Sequence, residues 1–333
     1  MNTYRNFIGG KWIESSSTRT AQNINPANTD DILGTIRQAT REEARSAVEA
    51  AAGAFRSWRA TPAPARGRIV AKAARLLEEN KEEVAQLLTH EEGKTIAESR
   101  GELQRSINVA EFCAGESRRM NGETIPSELP LNFAYTIKQP LGVVACVTPW
   151  NFPVAIPIWK IAPALVAGNT VVFKPASITP ATAVRITELF EAAGIPPGVL
   201  NLVLGSGSEA GDEIINHPAV KAISFTGSNG VGIRLYEQAS RRGAKVQCEM
   251  GGKNPVVVLE DDSVSRDQRG CDLPHGNRDR EVPRRNTRDD AKRLLDRIGE
   301  VQRQLGRDRF AVHASRLTRA EFSNIDRALQ LTA

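Results

Sequence analysis

The chain has 333 residues, of which 40% are hydrophobic and 25% are charged, and its formal net charge is +5. This composition is ordinary for a globular protein, and the length suffices for more than one domain. No window contains the roughly 18 uninterrupted apolar residues that a membrane helix needs, and the N-terminus lacks the apolar stretch of a signal peptide. We therefore expect a cytoplasmic enzyme without a metal site, in which the four cysteines, which lack paired spacing, are reduced thiols.

The basic charge is confined to the last part of the chain. Residues 263–333 contain 16 basic and 11 acidic side chains, a net charge of +5, so residues 1–262 are neutral overall. A basic segment raises nucleic-acid binding as a function. Because the acidic side chains are interspersed and only two aromatic residues are present, a solvated charged segment is favoured over a nucleic-acid-binding one.

The N-terminal part predicts short strands followed by helices. Residues 1–36 indicate strands and turns, with a hairpin across "NFIGGKWI" whose two glycines permit a tight reversal. Thr40 and Glu43 form a capping-box pattern that opens the first helix. Two further amphipathic helices are predicted, over about 64–88 and 95–118.

After residue 130, short apolar runs alternate with helical segments. Five such runs, rich in β-branched residues, occupy residues 142–148, 170–174, 199–203, 222–226 and 255–259. Runs of this kind are typical of strands buried in a parallel sheet. The alternation predicts an α/β domain with a doubly wound parallel sheet, which binds its ligand at the carboxyl ends of the strands.

The alternation stops after residue 262. Residues 263–288 contain few apolar side chains, so the tail 263–333 is predicted to be partly disordered. One or two helices are expected within it, at about 289–305 and 319–331.

Two glycine-rich turns each follow a predicted strand and open a helix. They are "GSGSEAG" (205–211) and "GSNGVG" (227–232). A turn in this position presents free N–H groups to a phosphate. Neither matches the common dinucleotide fingerprint, so tight strand-to-helix turns without a ligand are the alternative interpretation.

Three polar residues stand at predicted strand ends. Asn151 follows the first of these strands, where its amide can donate to a developing oxyanion, and Lys174 closes the next strand within reach of ribose or phosphate oxygens. Glu249 comes before the glycine turn at Gly251, where partial burial would suit a general base. The alternatives for Asn151 and Lys174, a turn asparagine and a surface lysine, are disfavoured by their joint position; an ordinary loop carboxylate remains the alternative for Glu249.

The motifs "PWNFP", "GNTVVFKPA", "AISFTGSNGVG" and "EMGGKNP" occur in an order and spacing that resemble the aldehyde dehydrogenase superfamily. The resemblance covers residues 1–262 and implies a cofactor-binding domain with a Rossmann-like sheet and N-terminal helices. It implies oxidation of a small aldehyde to a carboxylate with NADP or NAD, through a cysteine thiolate. Residues 1–262 are most similar to bacterial semialdehyde dehydrogenases, including those acting on α-ketoglutaric semialdehyde. Members of the superfamily form homo-oligomers, but the segment that completes their oligomer surface has no counterpart after residue 262.

The resemblance also implies roles for individual residues. Asn151 matches an oxyanion-binding asparagine, and Glu249 matches the general base that activates water. Lys174 matches the lysine that holds the adenosine ribose, and Ser177 replaces an acidic residue of many NAD-preferring members, so a 2′-phosphate is not repelled. The resemblance assigns the remaining cofactor-binding positions to Thr148, Pro149, Trp150, Gly207, Gly211, Phe225, Gly227, Ser228, Val231 and Gly251.

The nucleophile motif of the superfamily, Gly-Gln-x-Cys, does not occur in the 333 residues. By spacing from Glu249 the cysteine is expected near Pro283, and Cys271 in "DQRGC" comes too early, so we interpret Cys271 as an exposed free thiol. We therefore expect a truncated dehydrogenase whose catalytic domain is largely missing. The alternative is a catalytically inactive protein that binds NAD(P).

Overall fold

The computed structural model describes residues 2–252. The predicted strand at 255–259, the predicted tail helices, the partial disorder of the tail, the domain boundary at residue 262 and Cys271 all lie outside the described residues. The strands of the described part are β1 (Asn2–Tyr4), β2 (Asn6–Ile8), β3 (Lys11–Ile13), β4 (Thr20–Ile24), β5 (Ile32–Arg37), β6 (Thr124–Ile125), β7 (Ala134–Tyr135), β8 (Val143–Val147), β9 (Thr170–Lys174), β10 (Leu200–Leu202), β11 (Val220–Gly227) and β12 (Lys245–Met250). The helices are α1 (Arg41–Ala60), α2 (Ala63–Glu79), α3 (Lys81–Glu92), α4 (Ile96–Glu116), α5 (Ala155–Val166), α6 (Pro180–Ala192), α7 (Asp212–Asn216) and α8 (Asn229–Ser240), with one π-helical turn at Gly207–Gly211.

The largest sheet has seven strands in the order β12-β11-β8-β9-β10-β2-β3. Strands β8 to β12 are all parallel, whereas the hairpin β2–β3 extends the sheet in the antiparallel direction. The chain builds outward from β8 through β9 to β10, and then crosses back to β11 on the other side of β8. The predicted doubly wound sheet is confirmed, and its topological switch point lies between β8 and β11, where ligands of such sheets bind.

Alternating side chains of the central strands fill two cores, one on each face of the sheet. Val144, Cys146 and Phe173 pack into a cluster with residues of α2, α4, α5 and α6. On the opposite face, Val143 and Val172 pack into a second cluster with residues of α1, α7 and α8. Since both faces are covered, β8, β9 and β10 are buried almost throughout, which explains their continuous apolar sequences.

The N-terminal hairpin forms as the sequence predicts. Gly9 and Gly10 adopt φ of +60° and +83°, values that favour glycine and match the tight turn between β2 and β3. The three remaining N-terminal strands form a separate sheet in the order β1-β5-β4.

The helices α1 to α4 precede the parallel strands in sequence, with α2, α3 and α4 packed on one face of the sheet and α1 mainly on the other. The capping box at the start of α1 is confirmed, because the Glu43 N–H donates to Thr40 Oγ1 at 3.2 Å and the Thr40 N–H donates to Glu43 Oε2 at 2.9 Å. The single helix predicted over 64–88 is wrong. It is two helices, because Asn80 leaves the helical conformation with φ of −102° and ψ of 14°. None of the helices in the described part of the chain is long and apolar enough to cross a membrane.

Strands β6 and β7 form a two-stranded ribbon apart from the other sheets. The segment 124–141, which we call the apolar ribbon, exposes a series of large apolar side chains: Ile125, Leu129, Leu131, Phe133, Tyr135, Ile137 and Leu141.

Candidate functional site

The carboxyl ends of four strands are aligned in register across the sheet. Cys248 of β12 pairs with Phe225 of β11, Phe225 pairs with Val147 of β8, and Val147 pairs with Lys174 of β9. Residues that follow these positions therefore emerge at one edge. This alignment explains how residues far apart in sequence come to share a site.

A cleft of about 650 Å³ opens at this edge, at the switch point between β8 and β11. Ten of the fourteen predicted site residues line it: Thr148, Pro149, Trp150, Asn151, Phe225, Gly227, Ser228, Val231, Glu249 and Gly251. Val147, Thr226 and Met250, which the sequence analysis did not single out, complete the lining.

The N-terminus of α8 forms one wall of the cleft. Its N-cap, Ser228, makes no side-chain capping hydrogen bond, and the first hydrogen bond of the helix joins the Gly232 N–H to Ser228 O at 3.0 Å. The N–H groups of residues 229–231 are therefore not used by the helix and suit an anionic group such as a phosphate. Gly227 brings the chain close to its neighbours, because a Cβ there would lie 2.6 Å from the Phe225 ring.

Thr148 contributes a buried hydroxyl to the floor of the cleft. Its backbone N–H donates to Lys174 O at 3.2 Å. Its Oγ1 is buried and has no hydrogen-bond partner within residues 2–252.

The other four predicted cofactor residues form a second group beside the cleft, at the ends of β9 and β10. Lys174 is only 6% exposed, its Nζ donates to Pro175 O at 2.9 Å, and burial lowers its pKa to about 8. Ser177 Oγ donates to Gly205 O at 3.1 Å. A Cβ at Gly211 would lie 3.6 Å from Lys174 Cε, so the end of the π-helical turn Gly207–Gly211 lies next to the Lys174 side chain.

Glu249 differs from its expected environment. It lines the cleft, but it is exposed rather than partly buried. The reason is its position on β12, the outermost strand of the seven-stranded sheet. The Glu249 carboxylate is therefore accessible to water.

A chain of polar side chains leads from the core to Glu249, and sequence reasoning missed it. Lys160 Nζ donates to Ser224 Oγ at 3.0 Å, Ser224 Oγ donates to Gln247 Oε1 at 3.2 Å, and Gln247 Nε2 lies 3.5 Å from Glu249 Oε1. Burial lowers the pKa of Lys160. The available signal was a single lysine within the apolar helix sequence "AIPIWKIAPALV".

The site fits a dinucleotide better than a metal ion. It offers unused helix N–H groups, an unpartnered buried hydroxyl and a lysine one strand away. Among residues 2–252 there is no cluster of three or more His, Cys, Asp or Glu side chains that would hold a metal. The sheet topology and the cleft together define an α/β protein of the dinucleotide-binding class.

Comparison with known proteins identifies the family. A sequence profile described as the aldehyde dehydrogenase family matches residues 12–270, and the chain belongs to that family. The α-ketoglutaric semialdehyde dehydrogenase of Bacillus subtilis is 48% identical over 260 residues, which cover 78% of this chain and 53% of that protein. The 2,5-dioxopentanoate dehydrogenase of Saccharolobus solfataricus is 44% identical over 78% of this chain and 54% of its own length.

Solved structures agree with this assignment. The betaine aldehyde dehydrogenase of Staphylococcus aureus in complex with NAD+ has a TM-score of 0.73 and 40% identity, covering 76% of this chain and 50% of that chain. An NADP-dependent enzyme of Escherichia coli has the same TM-score of 0.73, with 40% identity over 75% of this chain and 52% of that chain. The chain thus spans about half the length of the relatives it matches.

Proposed function

We propose that this chain binds NAD(P)+ across the two groups of site residues. In this arrangement the α8 N-terminus holds the pyrophosphate, Lys174 contacts the adenosine ribose, and the nicotinamide points toward Asn151 and Glu249. The observation that carries the proposal is the cleft at the switch point, which gathers ten of the predicted residues. Ser177, a neutral residue three positions after Lys174, does not repel the 2′-phosphate of NADP+.

In a complete aldehyde dehydrogenase of this kind, the reaction is oxidation of an aldehyde to a carboxylate. The cofactor, when bound, supplies the acceptor for hydride. The Asn151 amide donates a hydrogen bond to the oxyanion that develops on the aldehyde oxygen. Glu249 accepts a proton from the water that hydrolyses the acyl group from the nucleophilic cysteine of the complete enzyme. We propose a small semialdehyde as substrate, since the relatives include semialdehyde dehydrogenases.

The described cysteines do not supply the nucleophile. Burial raises the pKa of Cys146 to about 12 and also raises that of Cys113. The pKa of Cys248 is likewise raised by burial, so each thiol resists ionisation at neutral pH. Because the Gly-Gln-x-Cys motif is also absent from the sequence, we propose that this chain binds the cofactor with weak or no turnover. The three described cysteines are free, and we propose a cytoplasmic location, where thiols stay reduced.

Calorimetry with NADP+ and NAD+, combined with an assay of NAD(P)H formation from several aldehydes, tests this function on the full chain. We expect saturable binding and little or no NAD(P)H. Gly227→Ala should weaken NADP+ binding by about tenfold, roughly 1.4 kcal/mol, because its Cβ would displace the Phe225 ring. Gly101→Ala is the matched control, since its Cβ would meet nothing within 4 Å. Absence of binding to either dinucleotide would contradict the proposal.

A further inference from the structure

The loop 148–154 joins β8 to α5 and carries Trp150 and Asn151 into the cleft. Helix α5 begins at Ala155, and its N-cap residue, Val154, makes no side-chain capping hydrogen bond. The first N–H groups of such a helix require acceptors from elsewhere. The end of the loop is therefore fixed by another part of the chain.

Glu102, in α4, supplies these acceptors. It is 3% exposed, and its Oε1 accepts hydrogen bonds from the Val154 and Ala155 N–H groups, both at 2.9 Å. A carboxylate in this position also interacts favourably with the helix dipole. Glu102 thus sets where α5 starts.

Lys94 connects the same carboxylate to the loop. Its Nζ donates to Glu102 Oε2 at 2.6 Å and to the Asn151 backbone oxygen at 3.0 Å. An ion pair with Glu92 Oε2 at 2.9 Å places a second carboxylate beside the amine. The amine also lies 4.4 Å from the centroid of the Phe152 ring, a distance suited to a cation–π contact.

We propose that Glu102 and Lys94 are positioning residues, which hold the loop bearing Trp150 and Asn151 in its binding position. The inference rests on the proposed function, because this loop is one wall of the cofactor cleft. Neither Glu102 nor Lys94 lines the cleft itself, so they act through the loop backbone. Loss of Lys94 leaves the buried Glu102 carboxylate without its cation, which is costly. Loss of the Glu102 carboxylate weakens the acceptor of the Val154 and Ala155 N–H groups.

The test uses Glu102→Gln, Lys94→Met and their double variant in the full chain. Glu92→Gln is the matched control, because it removes the second carboxylate on Lys94 and leaves the contacts to the loop. NADP+ affinity is measured by calorimetry. Acrylamide quenching of Trp150, which is 52% exposed, is measured without cofactor and assigned by difference from a Trp150→Phe protein.

Each single variant should bind NADP+ about tenfold more weakly and should show a changed quenching of Trp150, whereas the control stays within about twofold. The loss of NADP+ affinity in the double variant should be smaller than the sum of the losses in the two single variants, since both residues act through one set of contacts. If the unmodified chain binds no NADP+, the proposed function fails, and Trp150 quenching still decides the positioning roles. Unchanged NADP+ affinity and unchanged quenching in both Glu102→Gln and Lys94→Met, even with a lower melting temperature, would overturn those roles. A loss of affinity in Glu92→Gln as large as that in the two single variants would also overturn them.

Discussion

Burial of the Lys174 amine makes the free energy of unfolding depend on pH. Burial lowers its pKa from 10.5 to about 8, so the charged form is disfavoured by loss of solvent. Below pH 8 the amine is charged in the folded and unfolded states, and the folded state bears the full cost of burying it. Between pH 8 and 10.5 only the unfolded state keeps the proton, so the free energy of unfolding rises with pH across this window.

Lys174→Met should remove that pH dependence. Below pH 8 the variant avoids a cost on the order of 3 kcal/mol, and its advantage over the unmodified protein should disappear as the pH rises toward 10.5. Urea unfolding at a series of pH values measures the difference. Lys245→Met, at an exposed position, serves as the control. Parallel pH profiles for Lys174→Met and the unmodified chain would show that burial does not act on this amine.

Leu131 carries local backbone strain. It is the only non-glycine residue with positive φ in residues 2–252, at +62°, and this conformation costs a leucine about 1 kcal/mol. Asparagine tolerates it, so Leu131→Asn should raise the free energy of unfolding by roughly 0.5–1 kcal/mol. Leu129→Asn, exposed in the same ribbon, should give no gain in denaturant unfolding. An equal effect of both changes would mean that lost apolar surface, rather than backbone strain, is responsible.

At the scale of elements, helix α6 is capped by a residue from another helix. Glu91, in α3, is buried, and its Oε1 accepts from Asn23 Nδ2 at 2.7 Å and from the Ala181 N–H at 2.6 Å. Its Oε2 accepts from the N–H and hydroxyl of Thr182 at 2.9 and 2.6 Å. One carboxylate therefore ties together β4, α3 and α6.

Glu91→Gln should destabilise the protein by about 2–4 kcal/mol, because an amide NH2 would replace the oxygen that accepts two hydrogen bonds from Thr182. Burial raises the pKa of Glu91, so the folded state holds this proton to higher pH than the unfolded state. The contribution of Glu91 to stability therefore falls as the pH rises from its ordinary value of 4.5 through the raised one. Denaturant midpoints measure both effects, and Glu82→Gln, which breaks an exposed ion pair with Arg100, should cost far less because solvent screens that pair. Equal costs in the two variants would contradict the capping role.

The sequence predicts those features that local pattern determines. The strands β8 and β9 and the capping box at Thr40 follow from apolar runs and short spacings. Asn151, Glu249 and the glycine turn at 227–232 follow from motifs at strand ends, whereas the resemblance to the family implied the other cleft residues. Glu102 could not be found in this way, because its helix-capping partners lie 52 and 53 positions away. The break at Asn80 also escaped prediction, because buried apolar residues continue at helical spacing on both sides of it.

For the molecule as a whole, Cys146 reports on opening of the central sheet. It lies within β8, and burial raises its pKa to about 12. Alkylation at pH 8 should modify the half-buried Cys248 in the native protein, whereas Cys146 should react only as the sheet unfolds in denaturant. Peptide mass spectrometry measures both, and Cys146→Ser identifies the signal. Rapid labelling of Cys146 without denaturant would contradict this cooperative behaviour.

The two buried glutamates, Glu91 and Glu102, limit where the chain can be cut into stable fragments. Glu91 lies in α3 and Glu102 in α4, yet they supply the first acceptors of α6 and α5, the crossover helices of the parallel sheet. A fragment cut just before β8 would contain every strand of the dinucleotide-binding motif and would lack both caps. We therefore expect an engineered exchange of cofactor domains to keep the starts of α5 and α6 intact only when α3 and α4 are carried along with the strands.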